Sequence, residues 1–75
     1  MTPEAVVGRV FGRDASEIDD ATSPETIPEW DSLGHITLVI ELEAAFNVSF
    51  APEETMTMTD VAAIKRALLA QDVRW

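Results

Sequence analysis

Pro28-Glu29-Trp30-Asp31-Ser32-Leu33-Gly34-His35-Ile36-Thr37-Leu38-Val39-Ile40-Glu41-Leu42-Glu43-Ala44-Ala45-Phe46-Asn47 is the stretch whose reading decides the fold. It follows a proline and passes two good N-cap residues, Asp31 and Ser32. It closes on Asn47, which tolerates the left-handed conformation of a helix end. With roughly 100° per residue, Leu38, Val39, Leu42, Ala45 and Phe46 share one apolar stripe, begun one turn earlier by His35. The spacing predicts a helix over 32–46 with that stripe facing a core. A second apolar set, Leu33, Ile36 and Ile40, falls at i, i+3, i+7 and points elsewhere, beside Thr37, Glu41 and Ala44. Two readings stand for this set. The long preceding loop or a following turn covers Ile36 and Ile40, or Leu33 and part of the stripe stay exposed within a rim of Glu29, Asp31 and Glu41. An apolar strip with an acidic rim suits basic protein partners.

Working outward toward the N-terminus, the segment Arg13 to Asp31 reads as a long connection. Ser23-Pro24 and Ile27-Pro28 both oppose helix at the preceding residue. A loop of this length inside a small domain wraps the surface or carries function. Ile18 and Ile27 are its expected anchors in the core, and Asp19, Asp20 and Glu25 are expected to be solvated. Before it, a helix is predicted over Pro3–Phe11. Thr2 caps it, Pro3 suits the first position, and Glu4 favours the positive end. Val7, Val10 and Phe11 form its stripe, and Gly12 stops it.

Toward the C-terminus, Val48-Ser49-Phe50 supplies two apolar anchors. Ala51-Pro52-Glu53-Glu54 then suits a single helical turn, with Pro52 first and two acids at its start. A last helix is predicted from Thr59, as its cap, to Ala70, with Val61, Ile64 and Leu68 on one face. Met56 and Met58 before it suit core filling or the wall of a channel. Val73 and Trp75 are placed to pack back against the bundle. Three main helices, one short helix and no strand predict an all-α bundle, a single domain over 1–75.

At 75 residues, a chain buries only about 60% of its unfolded surface, which leaves little room for both a core and a deep pocket. This favours a module that is acted upon over an enzyme. The absence of cysteine excludes disulfides and thiolate chemistry. Fourteen acidic residues oppose five basic ones, a net charge of −9. Such a field repels nucleic acid and anionic membranes and attracts basic protein surfaces. Neither an export signal nor a membrane span is legible, so a cytoplasmic location is expected.

Ser32 carries the chemical interest. A helix start has unpartnered N–H groups and a positive potential, so a phosphate on the Ser32 hydroxyl would be stabilised there. A serine in that place is otherwise a cap, and Asp-Ser-Leu alone is a weak motif. In context, Asp31-Ser32-Leu33, then Ile36, Leu38-Val39-Ile40, Leu42-Glu43 and Phe46-Asn47-Val48, resembles the acyl carrier protein family. The likeness runs over nearly the whole chain, including the long acidic loop, the turn after Pro52 and the final Thr59-Asp60-Val61 start.

That resemblance implies a four-helix bundle with a long first loop, with Ser32 receiving 4′-phosphopantetheine from coenzyme A. A separate Mg²⁺-dependent phosphopantetheinyl transferase performs the attachment, with Asp31 able to assist the cation. The thiol of the arm then holds acyl groups as thioesters, so the chain needs no cysteine. Acyl-loading, condensing or acyl-transfer enzymes would recognise the second helix through Asp31, Leu33, Ile36, Ile40 and Glu41, and the protein would act as a monomer in fatty-acid, polyketide or related biosynthesis. Where cargo is sequestered, Leu42, Phe46 and Ile64 would touch it. The chain departs from fatty-acid carriers in having Gly34 and Thr37 where acids are usual. Trp30 and His35 look similar to carriers of specialised pathways, and the glycine-rich approach of peptidyl carriers is missing. Two other readings remain. One is a cofactor-free helical adaptor between proteins, and the other is a small hydrolase using Ser32 and His35, which lacks a nucleophile elbow. For His35 itself, packing near the loop and a local hydrogen bond are both open.

Overall fold

The computed structural model describes residues 1–75 and is all-helical, a small bundle of four helices with no strand. Helix α1 spans Pro3–Phe11, α2 Ser32–Phe46, α3 Pro52–Thr55 and α4 Val61–Ala70. No helix is long and apolar enough to cross a membrane.

The first three helices begin and end where local chemistry directs. The Thr2 hydroxyl accepts from the Ala5 N–H, and Gly12 closes α1 at φ 70°. Asp31 caps α2 and Asn47 ends it at φ 54°. At α3, Glu54 accepts from the Ala51 N–H at 2.9 Å.

Helix α4 starts later than expected, at Val61, with Asp60 rather than Thr59 as its cap. Asp60 accepts from the Ala63 N–H. The first two N–H groups of the helix donate to loop carbonyls, Val61 to Thr22 and Ala62 to Asp20. The long loop thus satisfies donors that a helix start leaves open. It also contains a single 3₁₀ turn, Ala15–Glu17, held by a reciprocal cap between Asp14 and Glu17.

One core joins all of these parts. Val6, Val7 and Phe11 from α1 meet Leu38 and Leu42 from α2 and Val61, Ile64 and Leu68 from α4. Ile18 and Ile27 enter it from the loop, as expected, and Phe50 and Met58 enter from either side of α3. Val10, Val39, Ala45 and Phe46 are only partly buried at its margin, as is Val73. Trp75 stays exposed. Trp30, with no assigned place in the sequence reading, is 2% exposed and belongs to the core. It stacks on Phe11 with ring centroids 5.5 Å apart.

Polar ties hold the loop against α1 and α4. The Lys65 ammonium lies 2.7 Å from Glu4 and 2.6 Å from Asp20. The hydrogen bond to Asp20, and after it that to Glu4, holds the Lys65 pKa above the ordinary lysine value. Asp20 is therefore a tether and not merely a solvated acid. Asp19 folds back to accept from the Ala21 N–H and the Thr22 hydroxyl.

Candidate functional site around Ser32

Ser32 is the first residue of α2, and its side chain is exposed. Capping falls to its neighbour: Asp31 Oδ1 accepts from the Gly34 N–H at 2.8 Å. The serine hydroxyl is thus presented at the helix start without serving as its cap.

Gly34 makes this presentation possible. A Cβ there would stand 2.2 Å from the Glu29 carbonyl oxygen and 3.0 Å from the Phe11 ring. The loop lands on α2 at this point, and only a residue without a side chain lets it approach so closely. The small residue at this position thus has a packing reason.

Trp30 and His35 anchor the other side of the same landing. The indole Nε1–H donates to His35 Nδ1 at 2.9 Å, with the two ring planes 13° apart. His35 Nε2 lies 2.7 Å from the Thr55 carbonyl oxygen. An indole can only donate and a carbonyl can only accept, so the imidazole is neutral with its proton on Nε2. His35 is therefore a bridge from the loop through α2 to α3. Both of its nitrogens are engaged, and neither is turned to activating Ser32.

A groove of about 590 Å³ opens beside Ser32, lined by Trp30, Asp31, His35, Ile36, Thr55, Met56 and Met58 among others. A second, of about 330 Å³, lies further along α2 between Val39, Ile40, Glu43, Phe50 and Pro52. Leu42, Phe46 and Ile64 line neither groove. Leu42 and Ile64 are fully buried in the core. Beside Ile36, Val39 and Ile40, which the helical spacing singled out, the walls include residues it did not, Trp30 and Phe50 among them. Met58 fills the core, and Met56 is 78% exposed at the groove edge.

The second apolar set of α2 is uncovered. Leu33 is 73% exposed, and Ile36 and Ile40 are each 57% exposed. Its acidic rim is less free than its composition suggests. Glu41, half-buried toward α1, pairs with Arg9 at 3.1 Å. Glu29 pairs with Arg13 at 3.0 Å. The Glu29 carboxyl is held below the ordinary range by its own backbone N–H first and by Arg13 second. Asp31, next to Leu33, spends one oxygen on the cap. No group of three or more His, Cys, Asp or Glu is arranged to hold a metal ion.

The chain matches no protein-family model and no curated protein, so its site is read from its own geometry.

Proposed function

We propose that this protein is an acyl carrier, a cytoplasmic module without catalysis of its own, whose Ser32 bears 4′-phosphopantetheine. The observation that carries the reading is the state of Ser32: exposed at the first position of the central helix, relieved of capping by Asp31, and bordered by an apolar groove. A phosphate ester on that oxygen would meet the positive end of a fifteen-residue helix. The thiol-bearing arm supplies thioester chemistry, which fits a chain with no cysteine. The protein's own residues present the hydroxyl, keep the approach open and offer Leu33, Ile36 and Ile40 to the enzymes that load and unload the arm. Asp31, next to the hydroxyl, is placed to help a transferase-bound Mg²⁺.

The exposed strip alone would equally serve a cofactor-free adaptor. Modification separates the two. Incubation with coenzyme A, Mg²⁺ and a broad-specificity phosphopantetheinyl transferase should add one phosphopantetheinyl group by intact mass. Ser32→Ala should abolish the addition. Failure of every transferase tried on the folded wild-type protein would leave the adaptor as the better reading.

A further inference from the structure

Two grooves flank one side chain. The groove at Ser32 and the groove toward Phe50 share His35, Ile36 and Thr55 as lining residues. The 2.7 Å contact from His35 to the Thr55 carbonyl crosses between them, from α2 to the last residue of α3. Helix α3 has four residues, far below the length at which a helix persists unaided. Most of its polar contacts are internal: Glu54 to Ala51, the Thr55 hydroxyl to the Pro52 carbonyl, and the Thr57 hydroxyl to the Glu54 carbonyl. Its flanks are anchored by Phe50 and Met58 in the core, and by the Phe50 N–H donating to Glu43 at 2.8 Å. From the helix itself, the His35 bridge is the hydrogen bond that reaches across to α2. Trp30, buried in the core, fixes the acceptor nitrogen of that imidazole and so obliges the other nitrogen to donate to Thr55.

We propose that Trp30, His35 and the Thr55 carbonyl form a latch that keeps α3 seated on α2 and separates the groove at Ser32 from the groove toward Phe50. Release of the latch lets α3 swing outward on Phe50 and Met58. The two grooves then join into one apolar channel that begins at the serine. As applied to a tethered acyl chain, the inference rests on the carrier reading of Ser32. The latch would then set how much of the chain the resting protein shelters. His35 is a positioning residue in this scheme, with no part in bond making.

The latch is testable in the unmodified protein. In His35→Phe, which keeps a ring but neither hydrogen bond, amide exchange at residues 55–58 should accelerate about fivefold to tenfold, the loss of one hydrogen bond. Exchange in α1 and α4 should stay unchanged. Equal acceleration throughout, or none at 55–58, overturns the proposal. Should the variant fail to fold, ¹⁵N spectra of the wild-type imidazole decide. A proton on Nε2 with a bare Nδ1 supports the latch, and a proton on Nδ1 overturns it. A second arm loads Ser32 with an octanoyl-pantetheine arm. In the wild type, chemical-shift changes should be confined to the first groove, at Met56 and Met58. In His35→Phe they should extend to Val39 and Phe50. Identical patterns in the two proteins overturn the partition. Failure to load Ser32 counts against the carrier reading alone, since the exchange result does not depend on it.

Discussion

The two sides of this bundle are built differently. On one side α1, the long loop and α4 are tied by charge and backbone together. Lys65 binds Glu4 and Asp20, and the Thr22 and Asp20 carbonyls accept from the start of α4. Thr22 itself is buried. On the other side α2 turns Leu33, Ile36 and Ile40 to solvent, and a four-residue helix lies across it by one histidine bridge. The first side carries the ion pairs and loop contacts, and the core joins it to the second. The second leaves apolar surface open beside Ser32. A small domain can keep such a surface uncovered when its stability comes from elsewhere.

The comparison is broken most severely from within the core. Ile64→Ala removes a fully buried side chain and should destabilise the domain by about 2–5 kcal/mol, measured by urea denaturation. A loss under about 1 kcal/mol would mean that the tied side is not where stability resides. Next comes Gly34→Ala, at the landing between the two sides. The clash with the Glu29 carbonyl should cost about 1–3 kcal/mol and slow phosphopantetheinylation of Ser32 by moving the loop before it. A neutral effect on both would show that the loop yields freely.

Lys65→Met tests the charge tether with pH as the control. The fold raises the Lys65 pKa above its ordinary 10.5, so the native state favours the charged form. Its stabilisation is complete below that ordinary value and fades as pH rises through the raised one. The stability gap between wild type and Lys65→Met should therefore be present near neutrality and shrink in strong alkali. A gap that persists there would assign the effect to the lysine stem packing. The smallest effect on folding belongs to the open side. Leu33→Ala should change stability by no more than about 0.5 kcal/mol, yet weaken binding to a loading enzyme in a pull-down or kinetic assay. Ile40→Glu should behave alike. If either variant unfolds the domain, the strip is structural.

Much of the fold was legible because it rests on local chemistry. The limits of α1, α2 and α3 follow from Thr2, Gly12, Asp31, Asn47 and Pro52, each acting within a turn of its own position. Leu38, Leu42, Ile64 and Leu68 followed from helical spacing, and Ile18 and Ile27 from being isolated apolar residues in a polar loop. At the site, Ser32 and its neighbours on α2 were legible in the same way. The start of α4 was not, because loop carbonyls from residues about forty positions away complete its first turn. Trp30 was missed because a lone aromatic in a loop has no period to reveal which way it faces.

The amino-acid sequence by itself determined the helices, the serine at the mouth of the longest one and the acidic balance, all of which depend on residues close together in the chain. Only the tertiary structure decided that Trp30 is buried, that His35 carries its proton on Nε2, that Arg9 occupies Glu41, and that the second apolar stripe of α2 is bare. The reason is separation: Arg9 and Glu41 lie 32 residues apart, His35 and Thr55 20, and Lys65 and Asp20 45. Partners at such distances are chosen by how the helices pack, and no local propensity encodes that choice.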